Sequence, residues 1–186
     1  MGRSRYKITT ETSPHFLTLT VNHWLPVFTR PATTQIIYSA WQQLQQESSF
    51  RLYAFVILEN HLHFIAQSDN LSRDLKYFKG RTARYILDYL IQNRVDFLLK
   101  QLAYRKNSYK RQSRYQFWQE GSHPQLIETM QVLRQKVDYI HYNPVKRGYI
   151  ASPEHWLYSS ARAYLGLDSG ISIFKDWYGN NKKYGE

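Results

Sequence analysis

The strongest constraint in this chain is a pair of strand-like runs separated by only two residues. Residues 52–58 are continuously apolar, and after Glu59 and Asn60 the run His61-Leu62-His63-Phe64-Ile65-Ala66-Gln67 begins. A connection that short joins antiparallel neighbours, because a parallel pair needs a crossover of a dozen residues or more. The first run reads as a central strand buried on both faces, and Asn60 as a residue suited to the left-handed backbone of a tight turn. Side chains on the second run alternate, so His61 and His63 project from one side with Cα atoms about 6.5 Å apart. Leu62 and Phe64 point to the other side. The pair is expected at a sheet edge near the middle of the domain. Two neutral imidazoles on one face are half of a divalent-metal site. The same pattern also describes two polar residues facing solvent or a helix.

The hairpin sits inside a longer alternation of periods. Residues 16–21 alternate as a first strand, and residues 31–47 carry Ile36, Ile37, Ala40, Trp41 and Leu44 at helical spacing behind Pro31. Residues 71–92 form a second amphipathic helix, with Ser72 as its expected N-cap. Its apolar side is Leu75, Phe78, Thr82, Ile86 and Leu90; Lys76, Lys79, Arg81 and Arg84 fill the others. Residues 100–114 read as basic and irregular. Residues 115–118 and 125–127 suggest a fourth strand interrupted by Gly121 and Pro124, and residues 128–143 a third helix. Pro144 disfavours helical geometry at Asn143, so that helix is expected to end there. The order β-α-β-β-α-β-α points to the α+β class: a ferredoxin-like antiparallel sheet with helices packed on one face. At 186 residues the chain fits one domain, expected over 1–164, with 165–186 as a tail.

The third helix carries the complementary chemistry. Tyr139 and Asn143 are four residues apart and share a face. Tyr139 lies about 200° around the helix from Val137, off the stripe of Leu133, Val137 and Ile140. A hydroxyl nucleophile and an amide oxygen beside a histidine pair are parts for metal-assisted attack on a phosphodiester. Tyr142 is the rival nucleophile on another face.

Charge points to a polyanionic partner, nucleic acid or an anionic membrane surface. There are 25 Lys and Arg against 14 Asp and Glu, a formal net charge of +11, with 16 Tyr and 5 Trp. Basic charge with many aromatics suits unpaired nucleic acid, whose phosphates meet cations while bases stack on rings. The densest such segment holds Arg105, Lys106, Tyr109, Lys110, Arg111, Arg114 and Trp118. The chain has no cysteine, which excludes disulfides and fits a reducing cytoplasm. The basic start lacks the apolar run of a signal peptide, and no run is apolar enough to span a membrane.

Taken together, residues 58–64 (LENHLHF), 75–81, 117–121, 137–148 (VDYIHYNPVKRG) and 156–160 resemble the REP-associated tyrosine transposases, in the single-tyrosine branch of the HUH (His-hydrophobic-His) nucleases. The resemblance spans residues 6–164. It implies an HUH nuclease fold and a metal-dependent transposase that cleaves and rejoins single-stranded DNA at hairpin elements. His61 and His63 would be metal ligands, Tyr139 the nucleophile, and Asn143 the residue completing coordination of Mg²⁺ or Mn²⁺. Related enzymes use Gln at that last place, and many carry Pro where this chain has Glu59. The implied partner is single-stranded or hairpin DNA in the cytoplasm, at the nucleoid, bound by a monomer or homodimer. Arg3, Arg5 and Lys7 form an N-terminal arm suited to reading bases beside the hairpin foot. Two alternatives stay open: a non-catalytic single-strand-binding module of ferredoxin-like fold, and a metal-dependent hydrolase using water.

Overall fold

The computed structural model describes residues 8, 10–109 and 112–178. Four antiparallel strands form one sheet in the order β2-β3-β1-β4. They are β1 (His15–Thr20), β2 (Arg51–Ile57), β3 (His61–Gln67) and β4 (Gln125–Leu126), interspersed with α1 (Pro31–Glu47), α2 (Leu71–Gln92), α3 (Asp96–Tyr104), α4 (Met130–Lys146) and α5 (Ala161–Tyr164). Both β1 and β2 pair antiparallel with β3, so they run in one direction with β3 between them. This is the split β-α-β arrangement of ferredoxin-like folds.

Alternation along the strands builds two cores. Leu17, Leu19, Phe55, Leu62 and Phe64 face α1 and α2, where Trp41 stacks on Phe78. Phe16, Ala54, Val56 and Ile65 face the other way and meet Leu133, Val137 and Ile140 of α4. The expectation of helices on one face therefore holds for α1 and α2, while α4 covers the opposite face. The apolar stripe of α4 requires this, since only the second sheet face is left to bury it. His61 and His63 fall on the α4 side.

The hairpin's position also departs from expectation. β3, not β2, is interior, so the histidines stand at the end of a central strand. β2 is buried on both faces but lies at the border of the ladder. Its outer side is covered by the C-terminal segment: Ile57 N–H donates to Tyr158 O (2.8 Å), Phe55 N–H to Ser160 Oγ (2.9 Å) and Phe174 N–H to Leu52 O (2.8 Å). Asn60 does not take left-handed backbone. The turn is pinned by its neighbours instead, because Asn60 O and Glu59 O accept from Val21 and Phe28 N–H.

Local chemistry explains the other differences. α2 has the expected bounds, but its cap is Asn70, whose side chain accepts from Arg73 N–H, while Ser72 donates to Glu11. α3 replaces part of the expected irregular segment because Leu98, Leu99 and Leu102 share a face that reaches the first core. α4 runs through Pro144. Proline removes one intrahelical donor, yet the last turn is retained by Arg147 N–H to Asn143 O (3.2 Å). Trp118 is buried, packed on Phe117 and Phe28, with its indole N–H donating to Thr82 Oγ1.

Ser160 is the joint between sheet and C-terminal segment. Its hydroxyl accepts from Phe55 N–H and shares a 2.7 Å hydrogen bond with Nε2 of His141, both buried. Ser160→Ala leaves these groups without that partner and should cost about 2–3 kcal/mol. Urea denaturation checks this; a loss below about 0.5 kcal/mol would remove Ser160 from the support of β2.

Candidate functional site

On the α4 face, the rings of His61 and His63 lie 4.9 Å apart between centroids, at 81°. Both are buried. His61 Nδ1 is 2.6 Å from Asn60 Oδ1, an oxygen that only accepts, so Nδ1 carries the proton. His63 Nδ1 is 2.8 Å from Thr18 Oγ1, and the two residues are paired directly across the β1–β3 ladder. With Nδ1–H donated to Asn60, His61 Nε2 keeps its lone pair, the tautomer a metal ligand needs. Burial holds His61 down to about 4, with Arg147 adding to the effect and Glu59 opposing it. Burial likewise holds His63 down to about 3, reinforced by His61, Arg147 and Lys136. Both imidazoles are neutral at physiological pH.

α4 brings the remaining parts to the same place. The half-exposed Tyr139 ring meets His63 edge-on at 5.4 Å and Phe16 at 5.8 Å. Tyr142 is also partly exposed, but Tyr139 is the one that touches His63. Asn143 is buried, and its Oδ1 accepts from Arg147 Nε (3.1 Å). The same guanidinium lies 3.4 Å from His61 Nε2 and 3.3 Å from Glu59 Oε1. His61 and Asn143 thus converge on a point that already holds positive charge. Glu59 Oε2 is buried without a hydrogen-bond partner. Among the described residues no three His, Cys, Asp or Glu side chains are grouped to hold a metal ion. The donors on offer are two imidazoles and one amide oxygen, and two of the three, His61 Nε2 and Asn143 Oδ1, already face the Arg147 guanidinium.

The loop after β1 closes the other side. His23 (φ 54°) and Trp24 (φ 57°) are consecutive left-handed residues. For residues with a Cβ this costs roughly 1–2 kcal/mol each. The loop is over-determined by Asn22 N–H to Phe117 O (2.7 Å), Asn22 Nδ2 to Arg105 O (3.0 Å) and Trp24 N–H to Val21 O (2.9 Å). It sets the Trp24 ring 5.4 Å from that of His61.

The cations predicted to meet nucleic acid are dispersed. On α2, Lys76 and Arg84 are exposed and Arg81 lies over Tyr85. With Tyr77 and Gly80 they line a shallow groove of about 490 Å³. α2 covers the sheet face opposite the histidines. Lys79 reaches round, donating to Gln119 O and Gly121 O beside β1. Arg105 stands next to the Trp24 loop, its Nη1 3.5 Å from His23 Nδ1. Lys106 is tied to Ser113 O, Tyr109 to Glu120, and Arg114 to the Tyr115 ring. Trp118 is a core residue with no face open to a base, a correction to its expected stacking role. Arg3, Arg5, Lys7, Lys110 and Arg111 lie outside the described residues. Sequence reasoning missed Thr18, Asn60, Trp24, Lys136 and Arg147 at the site. Lys136 and Arg147 were findable, three residues before Tyr139 and four after Asn143 on one helix. Thr18 and Trp24 depend on strand register and loop path.

No family model matches the chain. A candidate REP-associated tyrosine transposase of Haemophilus influenzae is 31% identical over 147 residues, covering 76% of this chain and 74% of that protein. This chain belongs to the REP-associated tyrosine transposases. A solved REP-associated tyrosine transposase bound to a REP hairpin has the same fold, with a TM-score of 0.66 and 19% identity over 99% of this chain and 95% of that one. The transposase has no helix, among the described residues, long and apolar enough to cross a membrane.

The histidines make a pH prediction. Their folded values lie below the unfolded value near 6.5, so the unfolded chain binds more protons in between. Their stabilising contribution is complete above about 6.5 and is lost as pH falls towards 4 and 3. NMR of the ring protons should show both imidazoles titrating below pH 5; a midpoint near 6.5 would contradict the buried, neutral pair.

Proposed function

We propose that this transposase cleaves and rejoins single-stranded DNA at hairpin elements through a covalent phosphotyrosine. The observation that carries the reading is the meeting of Tyr139 with His63, beside a second histidine and an amide oxygen that converge on a cation. His61, His63 and Asn143 would hold Mg²⁺ or Mn²⁺, which when bound polarises the scissile phosphate. Oη of the half-exposed Tyr139 gives its proton to water and forms a bond to phosphorus. The P–O3′ bond breaks, and the departing oxygen takes up a proton as a free 3′-OH. The product is a 5′-phosphotyrosine, which conserves the phosphodiester so that a 3′-OH can reverse the step and join strands. Tyr139 and His63 belong to one chain, so a single copy contains the set. Cations on both sheet faces support a hairpin whose phosphates extend past the site. The REP hairpin bound in the related structure supports the same substrate class.

The test is labelled hairpin DNA with Mn²⁺, followed by denaturing electrophoresis for a protein–DNA band. Tyr139→Phe should lose the adduct and keep hairpin affinity within about twofold. His61→Ala, His63→Ala and excess EDTA should each abolish cleavage, with a smaller loss for Asn143→Ala. Adduct formed by Tyr139→Phe but not by Tyr142→Phe would move the nucleophile by one turn. Cleavage with no adduct would favour water as nucleophile, and hairpin binding with neither would favour the non-catalytic module.

Binding itself should fall steeply with salt. Each lost phosphate contact should reduce the slope of log K against log salt by about 0.7 on a single strand. Replacing Lys76 and Arg84 together with Ala should therefore flatten the slope; an unchanged slope would take the α2 groove out of the interface.

A further inference from the structure

We infer that Trp24 is a stacking platform for an unpaired base next to the scissile phosphate. This deepens the cleavage reading above and rests on it. Trp41 and Trp118 are buried, whereas Trp24 is 55% exposed. Its ring centroid lies 5.4 Å from that of His61, at 73°, so a ring that is more than half exposed stands beside the candidate metal site. The display is not a product of slack chain. Left-handed backbone at two successive non-glycine residues persists only where the surroundings impose it. Here the buried Asn22 ties the loop to Phe117 and Arg105. Such strain concentrates at ligand-binding positions.

The ligand class follows from the chemistry around the ring. An open π-face accepts any nucleobase, with no hydrogen-bond code, provided the base is unpaired. Arg105, exposed and one residue from the ring through its contact with His23, supplies a cation for the adjoining phosphate. His61 on the other side is where the reading above holds the phosphate to be cut. A stacked base at Trp24 would fix the strand's position relative to Tyr139, and a duplex, whose bases have no free face, would be refused. Trp24 is thus a binding residue that selects single-stranded flank.

The experiment measures affinity in the full chain carrying Tyr139→Phe, so that no cleavage intervenes. The probes are a DNA hairpin with a short single-stranded flank, the same hairpin without flank, and a series with one abasic site at each flank position. Trp24→Asn removes the ring but suits left-handed backbone; Trp24→Tyr keeps a ring. Trp24→Asn should bind the flanked hairpin about tenfold more weakly, bind the flankless hairpin unchanged, and lose its deficit when one particular flank base is absent. Trp24→Tyr should stay within about threefold of the parent. Equal affinity of Trp24→Asn and parent, equal loss on the flankless hairpin, or a deficit indifferent to every abasic position would overturn the inference. Those results would leave the cleavage reading standing when the chain with Tyr139 intact forms the adduct. Failure of that chain to bind any hairpin would overturn both.

Discussion

The pairing of β1 with β3 sets everything else. Thr18 opposite His63 and Leu19 opposite Leu62 place each polar residue on the α4 side and each apolar one towards Trp41. A slip of one residue would drive both imidazoles into the aromatic core and expose Leu62 and Phe64. Burial of those two side chains therefore specifies where the histidines stand. The same register gives His63 its Thr18 partner. Core packing and site geometry are one constraint, and neither can drift without the other.

Electrostatics at the site follow from that burial. A protonated His61 would repel the guanidinium of Arg147, which approaches within hydrogen-bond distance. Burial keeps the ring neutral, and a neutral Nε2 can accept from the guanidinium. Glu59, near the turn, offsets part of the positive charge, which explains why Arg147 tolerates a half-buried position. The histidines' low basicity and the arginine's presence are consistent only together. The cations of α2 lie on the far side of the sheet and contribute to a separate surface.

Much of this was legible in the sequence because it depends on local period. The two-residue connection fixed the hairpin, alternation put His61 and His63 on one side, and the helical repeat put Tyr139 beside Asn143. The bounds of α2 followed from its apolar stripe. What failed was non-local. Whether β2 or β3 is interior depends on which strand β1 joins, and nothing within residues 52–67 encodes that. Trp118 looked like an exposed ring among basic residues until the chain folded it under Phe28. The extension of α4 past Pro144 turned on tertiary support of its last turn, which outweighs the proline's local preference. Trp24 sits in strained backbone that no propensity predicts.

The covering of β2 has a consequence for assembly. One border of the sheet is sealed by backbone and side-chain hydrogen bonds from the segment around Tyr158, Ser160 and Phe174. The other border, β4, is two residues long. An open strand invites a neighbour's strand to add to it; here neither border offers a template of useful length. Among the described residues, copies of this protein are thus shielded from joining sheet to sheet, which leaves helices and loops as the surfaces through which they could associate.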